Sequence, residues 1–438
     1  MRVKESDISN RIMKKIAVLF LCLMSCCHLS AQGNSKFDSL MAVVKIQEQT
    51  GDNKGAVNSF NALGNIYNNQ GDRDEAMNNY RAALKINEEI GDKHGIAFSY
   101  NRLGYLYSAL HNDSEEWKMY FACLKLSEEI NDKPLMASSY FAIGNKYHRQ
   151  SNYSEALKAF LATLKIHEEL GQKKPMAVDY GRIATIYDAQ GNYQEALKNY
   201  LSCLKMREEV GEKLAIGLAY NQVGDIYLEL SNYPEALKNY FISLKIMEKR
   251  GDKSILAISY MTIGTIYELQ LNNPEALKYY LSALKLSEES KDKQGMGSGY
   301  ILVGNIYRKF GKYSEALENH FASLKLYEEM GYKSQIALSY NCIGNDYYTQ
   351  GNYEEALKND LASLTIREEL GEKQGIASSY LDIGKSYLKE MKIEEALNYE
   401  SKGLQLSEEV GSLELIRTAH KTLSVIDSVR NDFQGAYE

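Results

Sequence analysis

A 40-residue period governs almost the whole chain. The stretch from Gly217 to Arg250 shows it, because moving this window by 40 residues in either direction returns the same pattern of tyrosine, glycine, alanine and leucine. In this fifth repeat the recurrent positions are Tyr220, Gly224, Tyr227, Tyr233, Ala236, Leu237, Tyr240 and Leu244. A fixed period of this length is typical of stacked repeat proteins, in which each repeat buries its apolar face against its neighbours.

The period also predicts how the 438 residues are organised. Residues 33–50 align with the second half of a repeat, and we expect an N-terminal capping helix there. Nine full repeats follow over residues 51–410. Residues 411–430 supply one more first helix as a C-terminal cap, and residues 431–438 begin a second helix that is incomplete. Atypical ends are expected because the terminal repeats of an array expose one face to water.

Each repeat predicts two antiparallel helices. In the fifth repeat, apolar and small residues recur at helical spacing from Leu214 to Leu230, and a second helical pattern runs from Pro234 to Arg250. Glycine fills the slot of Ser231 in several other repeats, as the end of a helix prefers. The segments lack the alternation typical of strands. We therefore predict an all-α solenoid of helix pairs.

Tyrosine and cysteine are predicted to have packing roles. Of the 34 tyrosines, 27 fall in four recurrent slots, so the rings belong to the repeat and not to a stacking surface for bases. Small residues at the slots of Gly224 and Ala236 let the helices approach closely. Cys123 and Cys203 occupy a small-residue slot two repeats apart, beyond the reach of a disulfide. No disulfide framework is predicted.

The first 32 residues are predicted to be a signal segment. A basic pair, Lys14 and Lys15, precedes the nine-residue apolar run 16–24, and small residues follow up to a cleavage point after Ala31. Acidic residues near the start favour translation from Met13 as an alternative. We expect an exported protein, located in the periplasm or cell envelope of a Gram-negative bacterium.

Residues 23–26 also resemble a bacterial lipobox, in which Cys26 would carry the lipid. Cleavage to a soluble form and lipidation at Cys26 both stay open as alternatives. Membrane attachment would come only from this lipid or from a span that follows residue 438.

Composition and spacing argue against several classes of function. The net charge of −7 gives no basic footprint for nucleic acid. The seven histidines lack the spacing of metal ligands, and the glycines follow the 40-residue period and not a phosphate-binding loop. Paired glutamates recur near the end of nearly every repeat, as solvated helix faces do. We therefore expect no catalytic residues, no metal, no cofactor and no enzyme activity in this chain.

The order aromatic–x–x–Leu/Ile–Gly–x–x–Tyr, followed by alanine, an aromatic and a small residue, resembles the tetratricopeptide repeat. The 40-residue length is similar to the long subclass found in kinesin light chains and in polarity scaffolds of the LGN/Pins type. The resemblance covers Gly51 to about Arg430 and implies a right-handed superhelical solenoid. The chain departs from it at a few positions, which are Ala184 for glycine, Trp117 for leucine, and His320, Asp360 and Glu400 for the second-helix aromatic. The last three suggest looser packing or a polar contact.

The same resemblance implies a partner surface on the concave face, which the first helices line. Peptide contacts there usually come from the slots one and five residues after the first aromatic. Carried onto this chain, the predicted contact residues are Asn61, Asn65, Asn101, Tyr105, Asn145, Asn221, Asp225, Asn305, Asn341 and Asn345. An asparagine amide can hold a peptide backbone through both its donor and its acceptor. Alternatively, these asparagines hydrogen-bond the neighbouring repeat or recur through duplication.

We therefore expect a non-catalytic scaffold that binds a peptide or protein segment in its concave groove. A second function stays open, since exported arrays that end in an Ala-Tyr-Glu segment resemble the sensor regions of Bacteroidetes-type signalling proteins. In that case the chain would be the extracytoplasmic sensor of a larger protein. A histidine kinase, a nucleotide cyclase or a DNA-binding output domain would then follow residue 438.

Overall fold

The computed structural model describes residues 33–430. The predicted signal segment, including Cys26, and the predicted start of a second helix at residues 431–438 lie outside the described residues. Between residues 33 and 430 the chain forms twenty α-helices and no strand, which confirms the predicted all-α class of repeated helix pairs.

The helices follow one another with short links. They are α1 (Gly33–Thr50), α2 (Asn53–Gln70), α3 (Arg73–Ile90), α4 (Lys93–Ala109), α5 (Asp113–Glu129), α6 (Lys133–Arg149), α7 (Tyr153–Glu169), α8 (Lys173–Ala189), α9 (Tyr193–Val210), α10 (Lys213–Glu229), α11 (Tyr233–Glu248), α12 (Lys253–Leu269), α13 (Asn273–Ser290), α14 (Lys293–Lys309), α15 (Tyr313–Met330), α16 (Lys333–Gln350), α17 (Tyr353–Leu370), α18 (Lys373–Lys389), α19 (Ile393–Glu409) and α20 (Leu413–Val429). Even-numbered helices are the first helices of their repeats, and odd-numbered helices from α3 onward are the second helices.

The chain divides into two compact units, Met1–Glu212 and Lys213–Glu438, which we call the N-terminal and C-terminal blocks. Within each block every helix packs against the next helix along the chain. First helices of consecutive repeats also touch, as α4 touches α6 in the N-terminal block and α14 touches α16 in the C-terminal block. Within a block, these first helices therefore touch one another as well as their own partners.

The two helices of a repeat meet where a glycine faces a ring. A Cβ atom added to Gly64 would lie 2.5 Å from the Tyr80 ring, and one added to Gly264 would lie 2.6 Å from the Tyr280 ring. Both tyrosines are buried. Burying a large ring in this way removes a large apolar area from water, which is the main favourable contribution to packing. Ala184 fills the glycine slot in the fourth repeat and is itself fully buried.

The paired glutamates near the end of most second helices have recurrent partners. The first glutamate of the pair accepts a hydrogen bond from the first aromatic residue of the next repeat, a tyrosine. Glu128, for example, accepts from Tyr140 at 2.9 Å. The second glutamate pairs with the lysine at the start of its own repeat. These ion pairs are Lys93–Glu129, Lys133–Glu169, Lys173–Glu209, Lys253–Glu289, Lys293–Glu329, Lys333–Glu369 and Lys373–Glu409. The glutamates therefore tie repeat ends together and are not merely a solvated face.

The link between the two helices of a repeat contains one residue in the left-handed region. Glycine occupies this place at Gly191, with a φ of 70°, but in the sixth repeat the residue is Leu271, with a φ of 60°. The Leu271 side chain is 83% exposed, so it gains almost nothing from burial. An L-residue with a side chain is strained in this conformation, whereas glycine is not.

We therefore expect Leu271→Gly to raise the free energy of unfolding of the C-terminal block by about 1 kcal/mol, because the strain is relieved and little packing is lost. The matched change in the N-terminal block, Gly191→Leu, should lower it by a similar amount. Urea unfolding followed by circular dichroism measures both. An unchanged midpoint in both variants would contradict this account of the link.

Candidate functional site

Five positions on each first helix share one face, which lies away from the glycine–ring contact. In α2 they are Asn58, Asn61, Asn65, Asn68 and Asn69. Asn58, Asn61, Asn65 and Asn68 or Asn69 follow one another at three or four residues, which places them in a row along the helix. We call this row, together with its equivalents on the other first helices, the groove face. It contains both of the slots that the sequence predicts to contact a peptide.

Two cavities open between the groove faces of α2 and α4. The first has a volume of about 300 Å³ and is lined by Lys54, Val57, Asn58, Asn61, Asn87, Asp92, His94, Gly95 and Phe98. The second has a volume of about 330 Å³ and is lined by Asn65, Asn68, Asn69, Tyr80, Arg102, Tyr105 and Leu106. Because Asn61 and Asn65 are one helical turn apart, the two cavities lie along the same crevice.

Two of the predicted contact residues, Asn61 and Asn221, have a buried side-chain carbonyl oxygen without a hydrogen-bond partner in the described part of the chain. Each is half-buried on its first helix. Leaving a buried acceptor unpaired costs about 1–3 kcal/mol. A ligand that donates an N–H to either oxygen would recover this free energy, which makes these two asparagines the best-placed members of the predicted set.

Other predicted residues bond the ring of their own repeat. The Tyr80 hydroxyl donates to Asn65 Oδ1 at 2.8 Å, and the Tyr240 hydroxyl donates to the Asp225 carboxylate. Thr265, in the equivalent slot, lies 3.1 Å from the Tyr280 hydroxyl. The polar residue at this slot therefore satisfies the tip of a buried tyrosine, which gives it a structural role that the sequence interpretation did not foresee.

A third set bonds other groups of the first helices, and for two of its members the partner lies in the neighbouring repeat, as in the alternative interpretation. Asn101 donates to Ser138 of the next first helix at 3.1 Å, and Asn341 donates to Asp382 at 2.9 Å. Asn345 donates to the backbone carbonyl of Asn341 at 2.9 Å.

The remaining three predicted residues differ in their surroundings. Asn305 accepts from Arg308 at 2.7 Å. Tyr105 is 44% exposed and meets the Tyr120 ring edge-on, with ring centres 5.7 Å apart. Asn145 is half-buried. All ten predicted residues therefore lie on first helices, but they do not share one environment.

Sequence reasoning missed the apolar residues of the groove face. The slot of Asn58 holds a large apolar side chain in five repeats, namely Phe98, Val178, Leu218, Ile258 and Leu338. Ile258 is 62% exposed, and Val178, Leu218 and Leu338 are each more than 40% exposed. Their fixed position two residues before the first aromatic of the repeat was the available signal. An exposed apolar side chain beside an asparagine suits a partner that offers both a backbone and side chains.

The C-terminal repeats replace the buried ring with a polar network. His320 stands where a tyrosine stands in other repeats, and its Nδ1 lies 2.5 Å from Asp346 Oδ2. Arg308 donates to the other Asp346 oxygen at 3.2 Å. Asp346 itself takes the place of a buried isoleucine such as Ile306. Of the two expectations for this region, a polar contact is what the structure contains at His320.

Asp360 and Glu400 are buried in the two following repeats. Burial, together with the nearby negative charge of Asp382, raises the pKa of Asp360 to about 8. Burial likewise raises the pKa of Glu400 to about 8, against the opposing positive charge of Lys385. Asp360 Oδ1 and both carboxyl oxygens of Glu400 lack hydrogen-bond partners among the described residues. Both groups are therefore held mainly as neutral acids at pH 7.

The part of the chain between residues 33 and 430 contains no cluster of His, Cys, Asp and Glu side chains arranged to hold a metal ion. In the same range, no helix combines the length and the apolar character that a membrane crossing needs. Cys123, Cys203 and Cys342 are buried free thiols.

The sequence matches the family model described as "Tetratricopeptide repeat" over residues 55–116, 176–249, 254–329 and 335–409, which together make up more than half of the chain. A comparison with curated proteins finds no match. The family match covers repeats in both blocks.

Solved structures of similar fold include aspartyl phosphate phosphatase F from Bacillus subtilis, with a TM-score of 0.54, 15% identity, and coverage of 80% of this chain and 94% of that one. The apo form of the quorum sensor NprR from B. thuringiensis gives a TM-score of 0.54 and 18% identity, with coverage of 82% and 99%. A signal transduction ATPase with a tetratricopeptide repeat sensor, from Pyrococcus horikoshii, gives a TM-score of 0.52 and 19% identity. The match covers 78% of this chain and 51% of that one. At these identities the likeness concerns the fold.

The raised pKa of Glu400 predicts how stability depends on pH. The folded chain keeps this proton up to about pH 8, whereas the unfolded chain releases it near its ordinary pKa of 4.5. Between these two values the folded state binds more protons, so the free energy of unfolding falls as the pH rises. We expect Glu400→Gln to raise stability by on the order of 2 kcal/mol at pH 9 and to change it little at pH 4.5.

Urea unfolding at a series of pH values measures this difference. The matched control is Glu408→Gln, an exposed glutamate on the same helix, which should not alter the pH dependence. A Glu400→Gln variant whose stability follows the wild-type pH profile would refute the assignment.

Proposed function

Because the chain belongs to the tetratricopeptide repeat family, we propose that it is a non-catalytic scaffold whose groove face binds an extended peptide or protein segment. The observation that carries this proposal is the unpaired, buried carbonyl oxygen of Asn61, which lines a cavity between two neighbouring first helices. An acceptor in such a place is satisfied when a partner supplies a donor.

An extended backbone fits the chemistry of this crevice. It offers an N–H and a carbonyl at every residue, and successive side chains point to opposite sides. On the groove face, the amide of Asn61 lies in the same cavity as the apolar ring of Phe98 and the methyl groups of Val57. The amide would hold the backbone of the segment, and the apolar groups would contact its side chains.

The C-terminal block repeats this combination on α10, where Asn221 has the second unpaired oxygen and Leu218 is the exposed apolar neighbour one turn earlier. The two asparagines occupy the same slot in different blocks. We therefore assign the same role to both, each within its own block.

The test begins with a random peptide library from which peptides that bind the full chain are selected. Peptides that bind are then measured by isothermal titration against Asn61→Ala and Asn221→Ala. We expect the relevant variant to lose about tenfold in affinity, because one hydrogen bond to the peptide backbone is removed. The folded state should keep its stability, because the deleted oxygen has no partner in the free protein.

The matched control is Asn78→Ala, which removes an exposed asparagine from the second helix α3. This variant should bind the selected peptides as the wild type does. Peptides that bind all three variants with the wild-type affinity would refute the groove face as the binding surface.

A further inference from the structure

Two arginines in the N-terminal block occupy the same slot of their repeats, Arg102 on α4 and Arg182 on α8. This slot lies four residues after a groove-face slot, that of Phe98 and Val178, so both arginines border the groove face. Arg102 is half-buried and lines the second cavity of the crevice, and its Nε is buried without a hydrogen-bond partner. Arg182 is exposed. Neither was singled out by the sequence pattern.

Each guanidinium lies over a phenylalanine ring. The Arg102 guanidinium carbon is 4.8 Å from the centre of the Phe98 ring, and that of Arg182 is 5.8 Å from the centre of the Phe141 ring. Such stacking holds a guanidinium in place through the attraction between a cation and the ring face. Because the ring takes only one face of the planar group, the N–H groups along its edge stay available to a ligand.

Both arginines lack a partner of opposite charge. Neither guanidinium has an ion pair or a hydrogen bond to another residue between 33 and 430. Two arginines of the array do have an acidic partner, since Arg149 pairs with Glu116 and Arg308 pairs with Asp346.

The cavity that Arg102 lines offers it no negative charge either, because its other walls are amides, tyrosines and a leucine. The whole chain has a net charge of −7, so two unneutralised cations on one face run against its general composition. A half-buried guanidinium without a counter-charge favours an anionic ligand, and a carboxylate matches its fork of donors.

We propose that the groove face of the N-terminal block binds a peptide segment with two acidic side chains, one paired with Arg102 and the other with Arg182. This inference rests on the proposed function and specifies the chemistry of the partner. The pairing fixes the direction and register of the segment, since each carboxylate has one place to bind.

The spacing of the arginines sets the spacing of the acidic residues. Packed helices lie about 8–10 Å apart, so positions two repeats apart are separated by about 16–20 Å. An extended peptide advances about 3.3 Å per residue, and its side chains return to the same side at every second residue. The two acidic residues are therefore expected about six positions apart in the partner.

Synthetic twelve-residue peptides test this inference directly. They are acetylated and amidated, so that no terminal charge contributes, and they carry glutamate pairs six apart, glutamate pairs three apart, glutamine pairs six apart or lysine pairs six apart. Fluorescence anisotropy measures their binding to the full chain. We expect the glutamate pair six apart to bind at least tenfold more tightly than the glutamine pair.

Arg102→Gln and Arg182→Gln should each remove most of this preference. The control is Arg417→Gln, which changes the net charge equally at an exposed position of α20. Circular dichroism verifies that each variant is folded. If the Arg102→Gln substitution at the half-buried position disturbs folding, Arg182→Gln at the exposed position still tests the inference. Equal weakening by Arg417→Gln would indicate binding through net charge alone and would overturn the proposal.

The outcomes also separate this inference from the function on which it rests. If glutamate and glutamine peptides bind equally and Asn61→Ala weakens both, the proposal of an acidic partner is wrong, and the groove face is still supported as the binding surface. If none of the synthetic peptides binds, the acidic partner is again wrong, and the library selection decides on the groove by itself.

Discussion

The close approach of a first-helix glycine to a second-helix ring is the contact on which the rest of each repeat depends. At Gly224 an added Cβ would lie 2.9 Å from the Tyr240 ring, and at Gly104 it would lie 2.6 Å from the Tyr120 ring. In the repeats with glycine the ring fits because the facing residue has no side chain, although in the fourth repeat Ala184 fills the glycine slot and Tyr200 is still buried. Packing at this density leaves no room for a larger residue without movement of the helices.

This contact also shapes the surface on its far side. A tyrosine that packs against the glycine extends its hydroxyl through the repeat, where it needs a hydrogen-bond partner. Asn65 and Asp225 supply that partner from the groove face. The fold thus fixes one polar slot of the groove face. In the slot one turn earlier, Asn61 and Asn221 keep a side-chain oxygen without a hydrogen-bond partner among the described residues.

Where the ring is absent, the same position has a different physical character. Asp360 and Glu400 lie against Gly344 and Gly384, so the space that a tyrosine fills elsewhere holds a carboxyl group. A buried carboxyl without hydrogen bonds is stable only in its neutral form, because desolvation penalises the charge. In these two repeats the protonation of a buried carboxyl group is therefore linked to folding.

The sequence was sufficient to predict the helix pairs, since the glycine, alanine and tyrosine slots recur at a fixed period. It was also sufficient to identify the helices that carry the candidate site. It could not distinguish Asn61, whose oxygen is unpaired, from Asn101, which bonds Ser138, because that difference depends on the side chain in the next repeat. The stacking of Arg182 on Phe141 was hidden for the same reason, as the two residues lie 41 positions apart.

The most direct test of the central claim is to map where a selected peptide contacts the chain. A peptide that binds the N-terminal block would carry a benzophenone at its central residue, and mass spectrometry would locate the cross-link after irradiation. The account predicts attachment on the groove face of α2 or α4, near Asn61 or Phe98. Attachment to the exposed side of a second helix, such as Phe121 or Leu161, would contradict it.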